Sequence, residues 1–304
     1  MASVKKLLEN PAKIVYVLDK AGISKLIPDK AYLKLKYRAG FGKGLNLKNP
    51  KSYNEKLNWL KLYDRKPEYV ALVDKYEVKA WVAERIGLEY IIPTLGVWDC
   101  VEDIEFDSLP DQFVLKCTHD SGGLVICRDK SKLDVEEAKY KLNKALKSNF
   151  YFYGREWPYK NVKPRIIAEK YMEDTVTGEL RDYKFFCFDG TVKALFIASE
   201  RQKAGEEVKF DFFDPDFNHL DFRQGHPNAG AEVRKPENFE QMKKLSEKLS
   251  EGLCQVRVDF YEVNGKVYFG ELTFFHHCGF VPFDPEEWDV IFGDWIRLPE
   301  KTVK

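Results

Sequence analysis

Residues 257–273, RVDFYEVNGKVYFGELT, read as two short strands of alternating side-chain character joined at Asn264-Gly265, a dipeptide that closes tight hairpins. Such a pair commits the chain to an antiparallel sheet. Its register then decides everything on the two faces, because a slip of one residue moves every side chain to the other side. One acid sits on each strand, Asp259 and Glu271. A strict two-residue turn pairs Asp259 with Gly270 and leaves Glu271 beside Val258 on the opposite face. A three-residue loop over 264–266, or a one-residue bulge, instead pairs Asp259 with Glu271, Arg257 with Thr273 and Val258 with Leu272. We expect this offset register, since only it sets polar against polar and apolar against apolar.

Two carboxylates on one sheet face, in a chain with anion-binding signals elsewhere, would hold Mg²⁺ against the phosphates of a nucleotide. That ion keeps several waters and takes one or two protein carboxylates. The same pattern also describes a surface hairpin with solvated acids, and periodicity does not separate the two. The anion-binding signal lies in residues 113–127, where two β-rich stretches flank the loop Ser121-Gly122-Gly123. Glycines there let backbone amides approach an anion closely, although many such loops only turn a hairpin. Lys116 just before the loop adds to the signal, since a lysine on a buried strand needs an anion to pair with.

The chain has 304 residues, 44% hydrophobic and 14% aromatic, which implies packed cores rather than disorder. Net charge is zero but uneven: residues 1–66 hold 16 Lys or Arg and 5 Asp or Glu, so that segment is +11 and the remainder −11. A basic segment is the footprint of an anionic substrate, a membrane surface or nucleic acid. Nucleic acid is not expected, because zinc-finger spacing, an RNA-recognition consensus and an overall basic balance are all missing. The six cysteines are scattered without a C-x-x-C pair and read as buried reduced thiols. The apolar run 14–18 is too short for a signal sequence, and nothing approaches the ~20 residues of a bilayer span. A cytoplasmic protein is expected. Contact of the basic N-terminal helices with the inner face of the membrane is one reading of that segment; a solvated helical face is the other.

Residues 1–40 show helical spacing broken at Pro11 and Pro28. Ser52-Tyr53-Asn54-Glu55 has the form of a capping box before Leu57, Leu60 and Tyr63. A helix is expected over 67–86 with Asp74 and Lys75 inside it, an amphipathic helix over 134–150, a strand at 165–174, and a second hairpin over 182–193 that carries Lys184. Residues 205–235 lack a clear period, and Pro236 opens a helix. The run Phe274-Phe275-His276-His277-Cys278 invites a metal reading, but neighbours on an extended chain point to opposite faces, so loop and core packing is expected.

The ordered set Asp74-Lys75, Lys116 with Ser121-Gly122-Gly123, Glu169-Lys170-Tyr171-Met172, Asp182-Tyr183-Lys184, Arg257-Val258-Asp259 and Gly270-Glu271-Leu272-Thr273 resembles the ATP-grasp superfamily. Residues 54–64 and 269–274 look like its TupA-like branch, associated with teichuronopeptide and capsular polysaccharide synthesis. The resemblance implies an α+β ATP-grasp fold with the nucleotide clasped between two α+β subdomains. The implied division is a basic helical segment at 1–66, a first subdomain at 67–165 and a second at 166–304. ATP and Mg²⁺ are the implied cofactors. Lys75 and Lys116 would pair the α/β-phosphates and Ser121, Gly122 and Gly123 would cover the β/γ-phosphates. The backbone of Glu169, Lys170, Tyr171 and Met172 would meet the adenine edge. Asp182 would contact the ribose region and Lys184 a phosphate. Asp259 and Glu271 would hold Mg²⁺, and Arg257 would stabilise an acylphosphate.

Two departures stand out: Thr273 replaces the usual third metal-binding Asn, and 275–279 replaces a small Thr-Pro-Gly-type turn near the acceptor. The implied activity is ADP-producing carboxylate–amine ligation, joining an amino acid or amine to an acidic sugar or glycan precursor of a surface polysaccharide. The competing readings are a metal-dependent glycosyltransferase and a non-catalytic ATP-grasp scaffold.

Overall fold

The computed structural model of the chain describes residues 10–120, 122–175, 178, 180–199, 207–229 and 233–302. The first part is helical. Helix α1 spans Ile14–Lys20, and α2 spans Asp29–Phe41 and closes on Gly42 at φ 70°, a left-handed position that suits glycine. α3 (Tyr53–Tyr63) starts at the expected capping box: Ser52 Oγ accepts the Glu55 N–H at 3.3 Å and Glu55 Oε2 accepts the Ser52 N–H at 3.3 Å. The helix expected over 67–86 is instead two, α4 (Tyr69–Val73) and α5 (Glu77–Ile86), with an extended Asp74 between them. Asp74 Oδ1 accepts from the N–H groups of Tyr76 at 2.8 Å and Glu77 at 3.1 Å, so this aspartate starts a helix rather than riding inside one. Lys75 therefore lies outside both helices, and its N–H donates to Thr118 O at 3.1 Å.

Strands β1 (Thr94–Trp98), β2 (Phe113–Cys117), β3 (Leu124–Cys127) and β4 (Ile166–Lys170) form an antiparallel sheet in the order β1-β4-β2-β3. α6 (Val135–Leu146), shorter than expected, packs Ala138, Leu142 and Ala145 with Phe113, Leu115 and Cys117 of this sheet. The single turn α7 (Tyr151–Gly154) follows. Strand β4 comes after the division expected at residue 165, yet both its partners, β1 and β2, belong to the first sheet. Strand pairing, not chain order, assigns it there.

The second sheet has six strands. β5 (Asp182–Phe188) and β6 (Thr191–Ser199) make the expected hairpin, and β7 (Lys209–Phe213) and β8 (His219–Leu220) continue it. The connector read as irregular thus carries strand, including β9 (Arg223–Gln224). After α8 (Phe239–Ser250) come β10 (Gln255–Val263) and β11 (Lys266–Thr273), which complete the order β11-β10-β5-β6-β7-β8. β12 (Phe283–Asp284) pairs with β9, and α9 (Glu287–Trp295) follows. Every residue of β5 is buried because both faces of the sheet are covered. Phe185 meets Phe239 of α8 at 6.0 Å between ring centroids, while Phe186 meets Tyr53 of α3 at 6.3 Å and Phe292 of α9 at 5.3 Å. Each such buried phenylalanine contributes about 1.5–3 kcal/mol over an exposed one.

The opening hairpin takes the offset register. Arg257 pairs with Thr273, Val258 with Leu272 and Asp259 with Glu271; Phe260 then pairs with Phe269, which leaves Gly270 as one extra residue. The turn itself stays two residues long, with Val263 opposite Lys266, so the bulge supplies the offset. A Cβ at Gly270 would lie 3.1 Å from both Asp259 O and the Tyr261 ring, a tight approach at the bulge.

Candidate functional site

The two sheets bound a cleft of about 360 Å³, within the range of small-molecule sites. Of the residues singled out in the sequence, Lys75, Lys116, Gly123, Glu169, Lys170, Tyr171, Met172, Asp182, Lys184 and Glu271 line it. Ile92, Val114, Leu124, Ile126 and Leu180 give it an apolar part. Arg257, Asp259 and Gly122 are not on the wall, and Ser121 lies outside the described residues.

On the first wall, Glu169 of β4 is buried and bridges two lysines. Its Oε1 lies 2.6 Å from Lys79 Nζ and its Oε2 2.6 Å from Lys116 Nζ. Burial alone would raise this carboxyl, but the two lysines outweigh it and hold the group below the usual glutamate range. Lys79 belongs to no motif in the sequence, where its one signal is a position four residues after Lys75. Lys75 Nζ donates to Asp120 O. Desolvation lowers its pKa, opposed by the charge of Glu271 across the cleft. The Asp120 carboxylate in turn accepts the Gly123 N–H at 3.2 Å. A Cβ at Gly123 would sit 2.4 Å from Ala145 Cβ, so glycine is what lets this loop lie against α6.

The second wall is an ionic network across β5, β10 and β11. The Arg257 fork grips Asp259 with Nε to Oδ1 at 2.7 Å and Nη2 to Oδ2 at 2.7 Å. Lys184 Nζ donates to the same Oδ2 and lies 3.2 Å from Asp182 Oδ1. Arg257 also donates to Thr273 Oγ1 at 2.9 Å and reaches Glu271 Oε1 at 3.2 Å. Asp259 is 1% exposed with both oxygens engaged. It shares a face with Glu271 as expected, but here it neutralises Arg257 and Lys184 rather than facing the cleft. Glu271 does face it, with 40% of its side chain exposed. Partial burial would raise the Glu271 carboxyl, but Lys184, Lys75 and Arg257 together lower it to about 2.

Behind Arg257, Nη1 lies 2.6 Å from His276 Nδ1. Because arginine only donates, that nitrogen is the acceptor and the imidazole is neutral. Burial and the neighbouring His277 and Arg257 push its pKa well down, in agreement. The chain here is not extended, as the sequence reading assumed: His277, Cys278 and Gly279 all have left-handed φ, 49°, 53° and 59°. Even so, no group of three or more His, Cys, Asp or Glu among the described residues is placed to hold a metal ion.

The sequence profile of the TupA-like ATPgrasp family matches residues 55–297, most of the chain. The chain belongs to this TupA-like ATP-grasp family. No curated protein matches it by sequence. Among solved structures, D-alanine–D-alanine ligase from Helicobacter pylori is 16% identical, with 82% of this chain and 70% of that chain covered and a TM-score of 0.41. The Bacillus anthracis D-alanine–D-alanine ligase is 19% identical, with 67% and 57% covered and a TM-score of 0.39. D-cycloserine synthetase is 16% identical, with 75% and 70% covered and a TM-score of 0.42. The chain thus spans little more than half of the Bacillus anthracis enzyme.

The ATP-grasp cleft has a donor set that fits a nucleoside triphosphate with a divalent cation. Lys75 and Lys116 reach it from one wall and Lys184 from the other, and the apolar part suits a flat base. Glu271 is the one acid of the expected metal pair whose side chain is exposed to the cleft. Asp259 would coordinate an ion only by giving up Lys184.

Proposed function

We propose that the chain is an ATP- and Mg²⁺-dependent carboxylate–amine ligase that works through an acylphosphate, with an acidic sugar or glycan precursor of a surface polysaccharide as one partner. The observation that carries this reading is the convergence of Lys116 and Lys184 from the two sheets, and of Lys75 from the connection between α4 and α5, on a cleft that also exposes Glu271. Phosphoryl transfer needs positioning and charge neutralisation more than covalent help from the protein.

In this reading the adenine lies on the apolar part of the cleft, its edge against the backbone of 169–172. Lys75 and Lys116 neutralise the α/β-phosphates, the backbone at Gly123 lies against the β/γ-phosphates, and Lys184 draws the γ-phosphoryl oxygens toward β5. Glu271, joined by Asp259 if Lys184 moves to phosphate, would hold Mg²⁺, whose charge would offset that of the phosphates. The substrate carboxylate oxygen attacks the γ-phosphorus and ADP leaves. The amine nitrogen then attacks the acyl carbon, and its proton leaves with the inorganic phosphate that is expelled. Arg257 lies behind the wall with its fork taken by Asp259, so it would favour the oxyanion of that step through its charge rather than by direct contact. An ATP-consuming role fits the cytoplasm, and no helix among the described residues is long and apolar enough to cross a membrane.

The test is thermal denaturation with Mg-ATP and, separately, with UDP-sugars, followed by product analysis with pooled uronic acids and amines. ATP at about 100 times its Kd should add roughly 2.7 kcal/mol of stability. ADP and a condensed product of matching mass are expected. AMP as the nucleotide product refutes the acylphosphate route, and stabilisation by UDP-sugars but not ATP supports the glycosyltransferase instead.

A further inference from the structure

The helices before α3 present an outer face that the proposed chemistry does not use. Val17 is 52% exposed, Ile23 52% and Leu26 85%. Lys20, Lys30 and Lys34 are exposed along the same stretch. From residue 10 to residue 54 the sequence has 10 Lys or Arg and only 2 acids, Asp19 and Asp29. Both acids turn inward. Asp19 Oδ2 accepts from Tyr32 Oη at 3.2 Å and Lys36 Nζ at 3.3 Å. Asp29 pairs with Arg65 Nη2 at 2.7 Å and Arg155 Nε at 3.3 Å, and accepts from Tyr151 Oη. Among the described residues before α3, cations and apolar side chains are exposed without an exposed carboxylate.

This segment is firmly seated on the body of the protein. Lys36 Nζ donates to Tyr153 O at 2.6 Å, and buried Arg155 donates through Nη2 to Ser24 O at 2.6 Å and Ile27 O at 3.2 Å. Val15, Tyr32, Leu33 and Tyr37 are fully buried beneath it. The face is therefore carried in one orientation relative to the cleft.

We propose that this face docks the protein on an anionic lipid bilayer, with Val17, Ile23 and Leu26 entering the headgroup–acyl boundary and Lys20, Lys30 and Lys34 meeting lipid phosphates. Apolar side chains bracketed by lysines are the pattern of interfacial binding, in which burial and charge attraction add. A soluble polyanion would use the lysines but offers no burial to Leu26. A second copy of the chain would set lysines against lysines. The proposal does not rest on the ligase reading.

Flotation of the full chain with phosphatidylcholine vesicles, with and without phosphatidylglycerol, tests it. Binding is expected only to the anionic vesicles and should weaken in high salt. Each exposed lysine changed to Gln should lower partitioning roughly fivefold. Val17→Asp with Leu26→Asp should abolish binding while leaving the melting temperature and the response to Mg-ATP unchanged, which shows that the variant is folded. Absence of binding to anionic vesicles overturns the proposal. So does retention of binding by the Asp variant with loss only in the Lys→Gln variants, the mark of a soluble-polyanion site. A dimer in sedimentation velocity that Leu26→Asp dissociates would also overturn it.

Discussion

Asp259→Asn isolates the central feature of the second wall. Asp259 is 1% exposed, gripped by Arg257 through two 2.7 Å contacts and approached by Lys184 on the other side. Asparagine keeps the shape but removes the charge, and its amide group brings a donor up against cations that only donate. Breaking a buried ion pair by neutralising one partner costs about 3–5 kcal/mol, because a charge is left uncompensated. With an unfolding entropy of about 2.1 cal/mol/K per residue over 304 residues, roughly 0.64 kcal/mol/K, the ligand-free protein should melt about 5–8 °C lower. Differential scanning calorimetry without nucleotide or metal measures this directly. Adding Lys184→Met should recover a substantial part of the loss, since one of the two stranded cations is then gone. A preformed metal site behaves in the opposite way, because its like charges repel until the ion arrives. If Asp259→Asn leaves the metal-free melting temperature within about 1 °C, or raises it, the carboxylate is not holding Arg257 and Lys184 together and the network reasoning fails.

Three further outcomes follow from the same geometry. Glu169→Gln should cost about 3–5 kcal/mol at pH 7 in urea denaturation, since it leaves Lys79 and Lys116 without their shared partner. Its pH dependence has a definite sign: the folded pKa of Glu169 lies below the unfolded one, so its stabilisation is complete above the unfolded pKa of about 4.3 and is lost as pH falls further, and Glu169→Gln should show a flatter acid limb. Gly123→Ala should lose about 1–3 kcal/mol by overpacking against Ala145, with Ala145→Gly in the same chain restoring most of it in a thermal melt. Gly270→Val should displace the bulge that aligns Glu271 with Asp259 and so remove the stabilisation by Mg-ATP. Gly265→Ala, at φ 74° with nothing nearby, should cost only about 1–2 kcal/mol of stability and keep that response.

Much of the architecture was legible because it is set by near neighbours. The capping box at Ser52 and Glu55, the Asn264-Gly265 turn and the Asp259–Glu271 register all depend on residues within one turn or one hairpin. Asp74 shows where such reasoning slips: apolar periodicity ran straight through 67–86, but an aspartate that caps its own backbone divides the helix. Local order also misassigned β4, since its place between β1 and β2 depends on strands some fifty residues or more away in the chain. At 275–279 the extended-chain assumption failed because consecutive left-handed residues bend the backbone, a conformation that non-glycine residues adopt rarely.

By itself the sequence determined that Arg257, Asp259, Glu271 and Thr273 share one face of a hairpin, because alternation and the polarity match of facing residues leave one consistent register. It also placed Lys116 just before a glycine turn that can approach an anion. Only the tertiary structure decided which cation each carboxylate meets. β5 lies beside β10 with Lys184 directly opposite Asp259, and α5 brings Lys79 to Glu169. Asp259 is thereby buried among cations while Glu271 is left open to the cleft. The reason is physical: Arg257 meets Asp259 from two residues away on one strand, but Lys184 and Lys79 reach their carboxylates only because packing brings distant strands and helices within hydrogen-bond reach.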